Sequence, residues 1–363
     1  MSQDSTYGGT RPVSDAHRVD TVALQRWLRA NVDGFDGALE IEMFKGGQSN
    51  PTFLLRTPQR RYVMRAKPGP VAKLLPSAHA IEREFRVMRG LRDSAVPVAE
   101  MLALCDDESV IGRAFYIMSF VEGRVFWDQT LPGLSPQERA AIYDEMNRVL
   151  AALHRVDFQA CGLGDYGKPG NYFERQIGRW SKQYQASITA PIDAMDRLIE
   201  WLPAHMPESA RDASKVSIVH GDYRLDNLIF HPTEPRVLAV LDWELSTLGH
   251  PLADFSYHCM SWHISPATFR GIGGLDLDAL GIPQERDYIQ RYCERTGWSD
   301  REGLTRDWNF YLAYNLFRMA AILQGIAKRV EDGTASSAQA KTSAAAARPL
   351  AELAWSYANR SHP

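Results

Sequence analysis

The sequence predicts an α+β fold in two lobes: a small antiparallel sheet with one key helix, then a larger and mostly helical lobe. Residues 18–121 contain short β-type runs separated by turn formers, which is typical of sheet strands. From Glu122-Gly123 onward, long segments place their apolar residues at helical spacing. A chain of 363 residues is long enough for each lobe to bury a core of its own.

The first lobe is predicted to follow a disordered segment, residues 1–17, because that segment is rich in Ser, Asp and Gly. A helix is predicted over residues 19–32, where apolar residues recur at helical spacing. The remaining predicted elements are strands at 39–44, 52–56, 61–65 and 114–120 and a helix at 79–91. We therefore assign residues 18–121 to this lobe.

The second lobe, residues 122–363, is predicted to be helical apart from one β-hairpin. The hairpin strands are residues 228–230 and 236–241, joined by a loop with two prolines. The Ala/Ser-rich tract 333–347 fits either a loop or a weak helix. The predicted helices are 136–156, 171–185, 191–202, 284–295, 304–329 and 349–357.

The composition is ordinary for a globular enzyme and disfavours several classes of protein. Hydrophobic residues make up 45% of the chain and charged residues 23%. The net charge of -3 gives no general case for nucleic-acid binding, and no apolar run reaches membrane-spanning length. The amino terminus is polar and does not resemble a signal peptide. Four widely spaced cysteines are predicted to be free thiols, which favours a reducing compartment, and we predict a cytoplasmic protein. From the charge and the lack of a long apolar run, we predict no nucleic-acid or membrane partner.

The residues with the clearest chemistry lie around the predicted hairpin. Asp222 and Asn227 fit the pattern H-x-D-x-x-x-x-N, and Asp242 follows the second hairpin strand. Phosphoryl transfer needs one carboxylate near the attacking hydroxyl and further oxygen ligands that hold magnesium against the phosphates. We therefore predict Asp222 as catalytic, and Asn227 and Asp242 as Mg²⁺ ligands that leave room for phosphates and waters. The alternative for each of these residues is a turn, strand-end or capping role.

Three strings, in this order, resemble the aminoglycoside phosphotransferase and choline-kinase-like family, whose fold is the two-lobed protein-kinase-like one. The resemblance covers residues 44–254 and is strongest to the branch joined to some acyl-CoA dehydrogenases. It implies ATP and Mg²⁺ as cofactors, a nucleotide-binding first lobe and a second lobe for catalysis and acceptor binding. The strings are Gly47-Gln48-Ser49-Asn50-Pro51-Thr52, Arg65-Ala66-Lys67-Pro68 and Gly221-Asp222-Tyr223-Arg224-Leu225-Asp226-Asn227.

The resemblance also implies which residues contact the nucleotide. A glycine-containing loop between the first two strands is similar to the loop that positions phosphates, where small residues let backbone amides approach. The segment 118–121, at the end of the strand at 114–120, resembles the connection whose backbone amides meet the adenine edge. The residues matched in this way are Gly47, Gln48, Ser49, Asn50, Ser119 and Val121.

One predicted nucleotide contact departs from the general kinase pattern. Arg65 ends the third strand where kinases usually have Lys, and the resemblance makes Glu84 its ion-pair partner. Arg can bind phosphates with two nitrogens, but it is not equivalent to Lys. Lys67 is the alternative cation and Glu82 the alternative acid, and surface pairing is the alternative for all four residues.

Three further residues near Asp222 have predicted roles. Arg224 lies where related folds place a cation facing the transferring phosphoryl group, which would stabilise developing negative charge; a structural salt bridge is the alternative. We predict His220 as a buried support of the loop, not as an acid or base. The resemblance implies that Asp254 braces the same loop.

We predict an ATP-dependent phosphotransferase that acts on the hydroxyl of a small molecule. Gly249 follows only seven positions after Asp242, which leaves no room for the activation segment of protein kinases. The acyl-CoA-dehydrogenase-linked relatives imply a hydroxy acid or hydroxyacyl-CoA as acceptor. A basic cluster near Arg65 is either a solvated face or a site for a phosphate-bearing group such as coenzyme A. The alternatives are a nucleotide-binding pseudokinase and an aminoglycoside or amino-alcohol kinase, and the oligomeric state stays open, a homodimer included.

Overall fold

A six-stranded antiparallel sheet is the centre of the first of two units into which the chain divides. The computed structural model describes residues 9–45, 50–68, 81–335 and 338–360. The first unit comprises Met1–Trp127, Gln159–Tyr166 and Leu225–Ser246. The second unit comprises Asp128–Phe158, Gly167–Arg224 and Thr247–Pro363.

The strand order of the sheet is β1-β2-β3-β4-β6-β5. The four strands predicted from the sequence are all present, and β1 and β5 are additional. Within the segment predicted to be disordered, the structure differs at Thr10 and Arg11, which pair with β2. The strands are β1 (Thr10–Arg11), β2 (Glu40–Phe44), β3 (Thr52–Arg56), β4 (Arg61–Ala66), β5 (Met101–Cys105) and β6 (Phe115–Ser119).

The alternation of β4 decides which of its side chains join the core. Helix α1 (Thr21–Asn31) begins at the N-cap Asp20 and buries Leu24 and Leu28 in a cluster that includes alternate residues of β4. Those residues are Tyr62, Met64 and Ala66. Because successive side chains of a strand point to opposite faces, Arg65 lies on the other face. Helix α2 (Ile81–Leu91) packs near β5 and β6 and buries its own acidic residue Glu84.

The predicted hairpin consists of β8 (Leu228–Phe230) and β9 (Val237–Val240), which pair antiparallel. It belongs to the first unit, in which Arg124 forms an isolated bridge with Phe230 through both backbone amides, each at 2.8 Å. Gly123, next to that bridge, has no room for a side chain, since a Cβ there would lie 2.2 Å from the Phe230 carbonyl oxygen.

The second unit is built around a helix of 31 residues, α10 (Arg301–Glu331). It packs against helices α4 (Tyr172–Ala186), α7 (Pro251–Cys259), α11 (Ala338–Ala345) and α12 (Ala347–Ala358). A short strand pair, β7 (Ser217–Val219) with β10 (Thr247–Gly249), leads the chain to and from the loop with Asp222. The helices are α3 (Pro136–His154), α4 (Tyr172–Ala186), α5 (Asp193–Ala204), α6 (Glu208–Arg211), α7 (Pro251–Cys259), α8 (Leu277–Leu280), α9 (Glu285–Thr296), α10 (Arg301–Glu331), α11 (Ala338–Ala345) and α12 (Ala347–Ala358).

The fold class predicted from the sequence is confirmed: the structure is α+β, with an antiparallel sheet in one unit and mostly helices in the other. The tract left open at 333–347 contains α11. Helix α7 was not predicted, because all nine of its residues are buried and it therefore shows no polar face. The four cysteines are free thiols, as predicted. Among the described residues, no helix combines the length and apolar character that a bilayer crossing requires.

Candidate active site

In the first unit, Arg65 and Glu84 form a buried ion pair, with Arg65 Nε 2.9 Å from Glu84 Oε2. The predicted pairing is therefore confirmed. The Asn50 amide donates a hydrogen bond to Glu84 Oε1 at 2.9 Å, and the Tyr116 hydroxyl donates one to Oε2 at 3.2 Å. Glu84 is only 1% exposed, so these contacts replace the water that its carboxylate gives up on folding.

Burial and neighbouring charges shift the pKa values of Arg65 and Glu84 in opposite directions. Burial by itself would lower the pKa of Arg65, but the carboxylates of Glu84, Asp242 and Glu244 raise it above its ordinary value. Burial raises the pKa of Glu84, and the Arg65 charge with the hydrogen bonds from Tyr116 and Asn50 offsets this only in part. Arg65 is thus a permanent cation whose charge is held in place by several acids.

The sequence left Lys67 and Glu82 as alternatives to Arg65 and Glu84. The structure pairs these two with each other, and their side chains are 32% and 38% exposed. The Arg65 and Glu84 side chains are 10% and 2% exposed. Arg65 and Glu84, which the sequence favours as the ion pair, are therefore the buried pair, and Lys67 and Glu82 lie nearer the surface.

Arg65 also contacts the acids that follow the hairpin. Its NH2 nitrogen lies 2.9 Å from Asp242 Oδ1 and 3.4 Å from Glu244 Oε2. Asp242 has a left-handed backbone, φ 62° and ψ 59°, which is uncommon for a residue with a side chain and is frequent at functional sites. The Trp243 indole donates to the Val240 carbonyl at 2.9 Å and fixes the turn that follows.

The hairpin brings the two predicted Mg²⁺ ligands to neighbouring positions. The Leu241 amide donates to the Asn227 carbonyl at 2.8 Å, so the residue next to Asp242 is bonded to Asn227. Asn227 is buried, and the Asp242 side chain is 37% exposed. An amide and a carboxylate oxygen are hard donors that fit Mg²⁺, which in nucleotide sites takes its other ligands from phosphates and waters. Within the described residues, no group of three or more His, Cys, Asp or Glu side chains forms a metal cage.

The other predicted nucleotide contacts are only partly described. Gly47, Gln48 and Ser49 lie outside the described residues. Ser119, at the end of β6, exchanges hydrogen bonds with Glu100: its amide donates at 2.9 Å, and its hydroxyl accepts from the Glu100 amide at 3.0 Å. Those two polar groups of Ser119 are thus used inside the protein. Val121 is half-buried two residues later, and its backbone role remains a prediction.

In the second unit, a buried acid holds the loop that contains Asp222. Asp254 accepts hydrogen bonds from the backbone amides of His220 at 2.6 Å and Gly221 at 2.8 Å. His220 is fully buried, and its Nδ1 accepts from the Asp222 amide at 3.2 Å. These hydrogen bonds place Asp254 and His220 as buried supports of the loop backbone, as predicted. Burial acts to raise the pKa of Asp254, but contacts with His154 and His220 bring it below its ordinary value.

The Asp222 carboxylate is itself held by two side chains. Its Oδ1 accepts a hydrogen bond from the Tyr257 hydroxyl and lies 3.2 Å from Arg224 Nε. Arg224 therefore forms the ion pair that the sequence analysis gave as its alternative, with a partner at the candidate catalytic residue. An ionised carboxylate in a fixed orientation can accept a hydroxyl proton as charge shifts in a transition state.

Two residues of this loop environment were not predicted as part of the site. They are Tyr257 on α7 and Arg318 on α10. Arg318 donates from NH2 to the Gly221 carbonyl at 2.5 Å. The available signal was an arginine inside the apolar stretch Leu316-Phe317-Arg318-Met319-Ala320, because a buried charge in a helix core requires a specific partner.

Comparison with known families extends over most of the chain. The model of the phosphotransferase enzyme family matches residues 40–303. Mouse acyl-CoA dehydrogenase family member 10 is 47% identical over 355 residues, which are 97% of this chain and 32% of that protein. Rat acyl-CoA dehydrogenase family member 11 is 41% identical over 357 residues, 97% of this chain and 45% of that protein. The chain thus spans less than half the length of these relatives.

Solved structures include similar chains at high and at low identity. A crystal structure from Ralstonia eutropha JMP134, provisionally described as an aminoglycoside phosphotransferase, is 66% identical with TM-score 0.86, covering 94% of this chain and 98% of that one. Choline kinase from Cryptosporidium parvum Iowa II is 13% identical with TM-score 0.60, covering 93% and 94%. A thermostable mutant of the aminoglycoside phosphotransferase APH(4)-Ia, in complex with ADP and hygromycin B, is 16% identical with TM-score 0.59, covering 93% and 100%. The last two show a shared fold.

Proposed function

This chain belongs to the phosphotransferase enzyme family, and on that premise we propose that it transfers the γ-phosphoryl group of ATP to the hydroxyl of a hydroxy acid or hydroxyacyl-CoA. Membership makes the chain an ATP-dependent phosphotransferase with a hydroxyl acceptor, as the resemblance in the sequence implied. The proposal adds the acceptor class and the residues that carry out each step.

The observation that carries the proposal is the fixed carboxylate of Asp222, held by Tyr257 and Arg224 in a loop braced by Asp254. Asp222 orients the acceptor hydroxyl and accepts its proton as the oxygen–phosphorus bond forms. Arg224 holds the carboxylate and supplies positive charge beside it, which offsets negative charge on the phosphoryl oxygens in the transition state.

The first unit supplies the nucleotide contacts in this proposal. Asn227 and Asp242 would hold Mg²⁺, which neutralises phosphate charge when it is bound. Arg65, fixed by Glu84, would contact the α- and β-phosphates through its planar guanidinium. That the APH(4)-Ia mutant binds ADP supports a nucleotide site of the same kind here. The remaining proposed nucleotide contacts are Gly47, Gln48, Ser49, Asn50, Ser119 and Val121.

The names of the relatives favour an acceptor related to acyl-CoA. Both curated relatives are acyl-CoA dehydrogenase family members, and this chain matches less than half of each. A phosphorylated hydroxyl is a better leaving group than a free one, so phosphorylation would prepare a hydroxyacyl chain for loss of that oxygen. An acyl-CoA dehydrogenase is then a natural functional partner, and a cytoplasmic location stays a prediction from the sequence.

An aminoglycoside or amino alcohol is the second candidate acceptor. The provisional description of the 66% identical structure favours it, as does the fold shared with choline kinase. A screen for ADP release should therefore compare hydroxy acids, hydroxyacyl-CoAs, amino alcohols and aminoglycosides, with mass spectrometry of the products to locate the phosphate.

The screen needs two variants as controls. Asp222→Asn keeps the size of the side chain and should reduce turnover by about 10²–10⁴-fold while ATP binding persists. Asp287→Asn, an exposed acid on α9, should retain full turnover. Release of ADP only with amino alcohols or aminoglycosides would overturn the acceptor class. ATP binding without turnover on any acceptor would favour a pseudokinase.

A further inference from the structure

Tyr257 and Arg318 flank the loop with Asp222, and we propose that they are positioning residues that fix the Asp222 carboxylate for proton transfer. This inference rests on the proposed catalytic role of Asp222. Both residues lie in the second unit with Asp222, and neither is part of the motifs that identify the family in this sequence.

Helix α7 holds three consecutive residues of the loop through two side chains one turn apart. Asp254 accepts from the backbone amides of His220 and Gly221, and Tyr257 donates its hydroxyl to Asp222 Oδ1. Residues three apart lie on the same face of a helix. One face of α7 therefore fixes both the backbone before Asp222 and the Asp222 side chain.

Both backbone polar groups of Gly221, its amide and its carbonyl, form hydrogen bonds with buried side chains. Its amide donates to Asp254 Oδ1 at 2.8 Å, and its carbonyl accepts from Arg318 at 2.5 Å. Gly221 has φ 83°, a left-handed value that glycine adopts without strain. The direction of the peptide that leads into Asp222 is thus set by an acid on α7 and a cation on α10.

Arg318 is an unusual partner for a backbone carbonyl, because it is a buried charge. It is 6% exposed, and within the described part of the chain it forms no ion pair with a carboxylate. Its guanidinium carbon lies 4.9 Å from the centre of the Tyr257 ring and 5.6 Å from that of Trp180. A buried cation without an ion pair is costly, so the Gly221 carbonyl and the two aromatic rings are the groups that offset the burial of this charge. Burial acts to lower the pKa of Arg318, but nearby tyrosines and Asp222 raise it overall.

The two residues act on Asp222 from connected positions. Arg318 orders the Gly221 carbonyl and packs on the Tyr257 ring, and Tyr257 in turn orders the carboxylate. Loss of the Tyr257 hydroxyl removes one of the contacts that orient the Asp222 carboxylate. A misplacement of about 1 Å in a reacting group can reduce a rate by about 10²-fold. We expect a lower kcat with little change in the KM for ATP.

The first test compares Tyr257→Phe with Tyr143→Phe in the ADP-release assay. Tyr143 is a matched control, since it is also buried in the second unit and its hydroxyl donates to a backbone carbonyl, that of Gln129 at 2.7 Å. Tyr257→Phe should lower kcat by about 10-fold to 100-fold. Tyr143→Phe should lower only the thermal midpoint. Equal kcat values for the two variants would overturn the positioning role.

The second test uses Arg318→Lys and Arg318→Met. Lys keeps the charge and a donor for the Gly221 carbonyl, so it should retain more of kcat than Met, which keeps only the length. The double variant Tyr257→Phe/Arg318→Met should lose less than the product of the two single losses, because both act through one carboxylate. Independent, multiplying losses would contradict the coupling.

A third measurement does not depend on turnover. Crystal structures of the wild type and Tyr257→Phe should show a rotated or mobile Asp222 carboxylate in the variant alone. An unchanged carboxylate would overturn this inference even if the protein proves to be an active kinase. If the wild type shows no turnover but the Asp222 carboxylate is rotated only in Tyr257→Phe, the positioning inference stands and the proposed function is removed.

Discussion

Arg65 on β4 and Glu84 on α2 form a buried ion pair that leaves the rest of the Arg65 guanidinium free to contact two further acids. Nε lies 2.9 Å from Glu84 Oε2, and NH2 lies 2.9 Å from Asp242 Oδ1 and 3.4 Å from Glu244 Oε2. A planar fork of donors can serve several acids in fixed directions, whereas an ammonium group is a single point charge. This geometry accounts for an arginine at a position where kinases usually have lysine.

Glu84→Gln should destabilise the protein strongly. The amide keeps the size of the side chain but leaves the buried Arg65 charge without its nearest acid, and breaking such a pair costs about 3–5 kcal/mol. Because Asp242 and Glu244 remain near Arg65, we expect a loss of about 3 kcal/mol in the free energy of unfolding, at the lower end of that range. Urea unfolding measures it.

Glu82→Gln is the matched control, since Glu82 pairs with Lys67 near the surface. Partly exposed pairs contribute about 0–1 kcal/mol, so this variant should stay within that range of the wild type. If the two variants lose equal stability, the distinction between the buried and exposed pairs is wrong.

Asp242→Asn should remove the part of nucleotide binding that depends on Mg²⁺. Asn is the suitable replacement because, like Asp, it tolerates the left-handed backbone found here, φ 62° and ψ 59°. In thermal-shift titrations, the wild type should gain more stability from ATP with Mg²⁺ than from ATP with a chelator. The variant should show the same midpoint in both.

An acid elsewhere in the hairpin tests whether the effect is specific. Glu234 lies in the loop between β8 and β9 and pairs with Arg236 at the surface. Glu234→Gln should keep the full increment from Mg²⁺. A retained increment in Asp242→Asn would remove Asp242 from the set of proposed ligands.

The sequence predicted those strands and site residues that can be recognised from a short stretch of neighbouring residues. The strands around Arg65 show turn formers at their ends, and Asp222, Asn227 and Asp242 stand at a spacing typical of phosphoryl transfer. Strands β7 and β10 have three residues each, which is too short for a period to appear.

The positioning residues were harder to predict because their signals depend on distant parts of the chain. Arg318 is 97 residues from Gly221 in the sequence, and only the packing of α10 brings them into contact. Tyr257 lies in a helix that is buried on all sides and has no amphipathic pattern. Residues that orient the proposed catalytic carboxylate through contacts distant in sequence are therefore identified from the structure and not from a sequence pattern.

Gly123→Ala should destabilise the first unit at the start of the hairpin. An added Cβ would lie 2.2 Å from the Phe230 carbonyl oxygen, which accepts the Arg124 amide at 2.8 Å. The backbone must move to accept the methyl group, and such overpacking costs about 1–3 kcal/mol. Gly178→Ala in α4 is the control. Apart from its chain neighbours and the backbone of its own helix, no described atom lies within 4 Å of a Cβ at Gly178. Replacing glycine by alanine in a helix stabilises it by up to about 1 kcal/mol. A thermal midpoint for Gly123→Ala at or above that of the wild type would contradict this prediction.

The stability of the protein should fall as the pH is lowered from about 6.5 to about 4, because two buried histidines stay neutral in the folded state. Burial lowers the pKa of His250 and of His258 to about 4. His250 caps α7, with Nδ1 accepting from the Leu252 amide at 3.2 Å and Nε2 facing the Ser209 carbonyl at 3.0 Å. Protonation of Nδ1 would remove the acceptor of that cap.

The direction of this pH dependence follows from whether the folded or the unfolded state binds more protons. Between about pH 6.5 and 4, the unfolded chain protonates these histidines and the folded protein does not, so each one reduces stability by up to about 1.4 kcal/mol per pH unit as the pH falls. Above that window the contribution is complete. His250→Asn keeps a capping side chain without a titrating ring. Urea midpoints across the window should therefore fall less steeply in His250→Asn than in the wild type, and equal slopes would show that His250 is protonated in the folded protein as readily as in the unfolded chain.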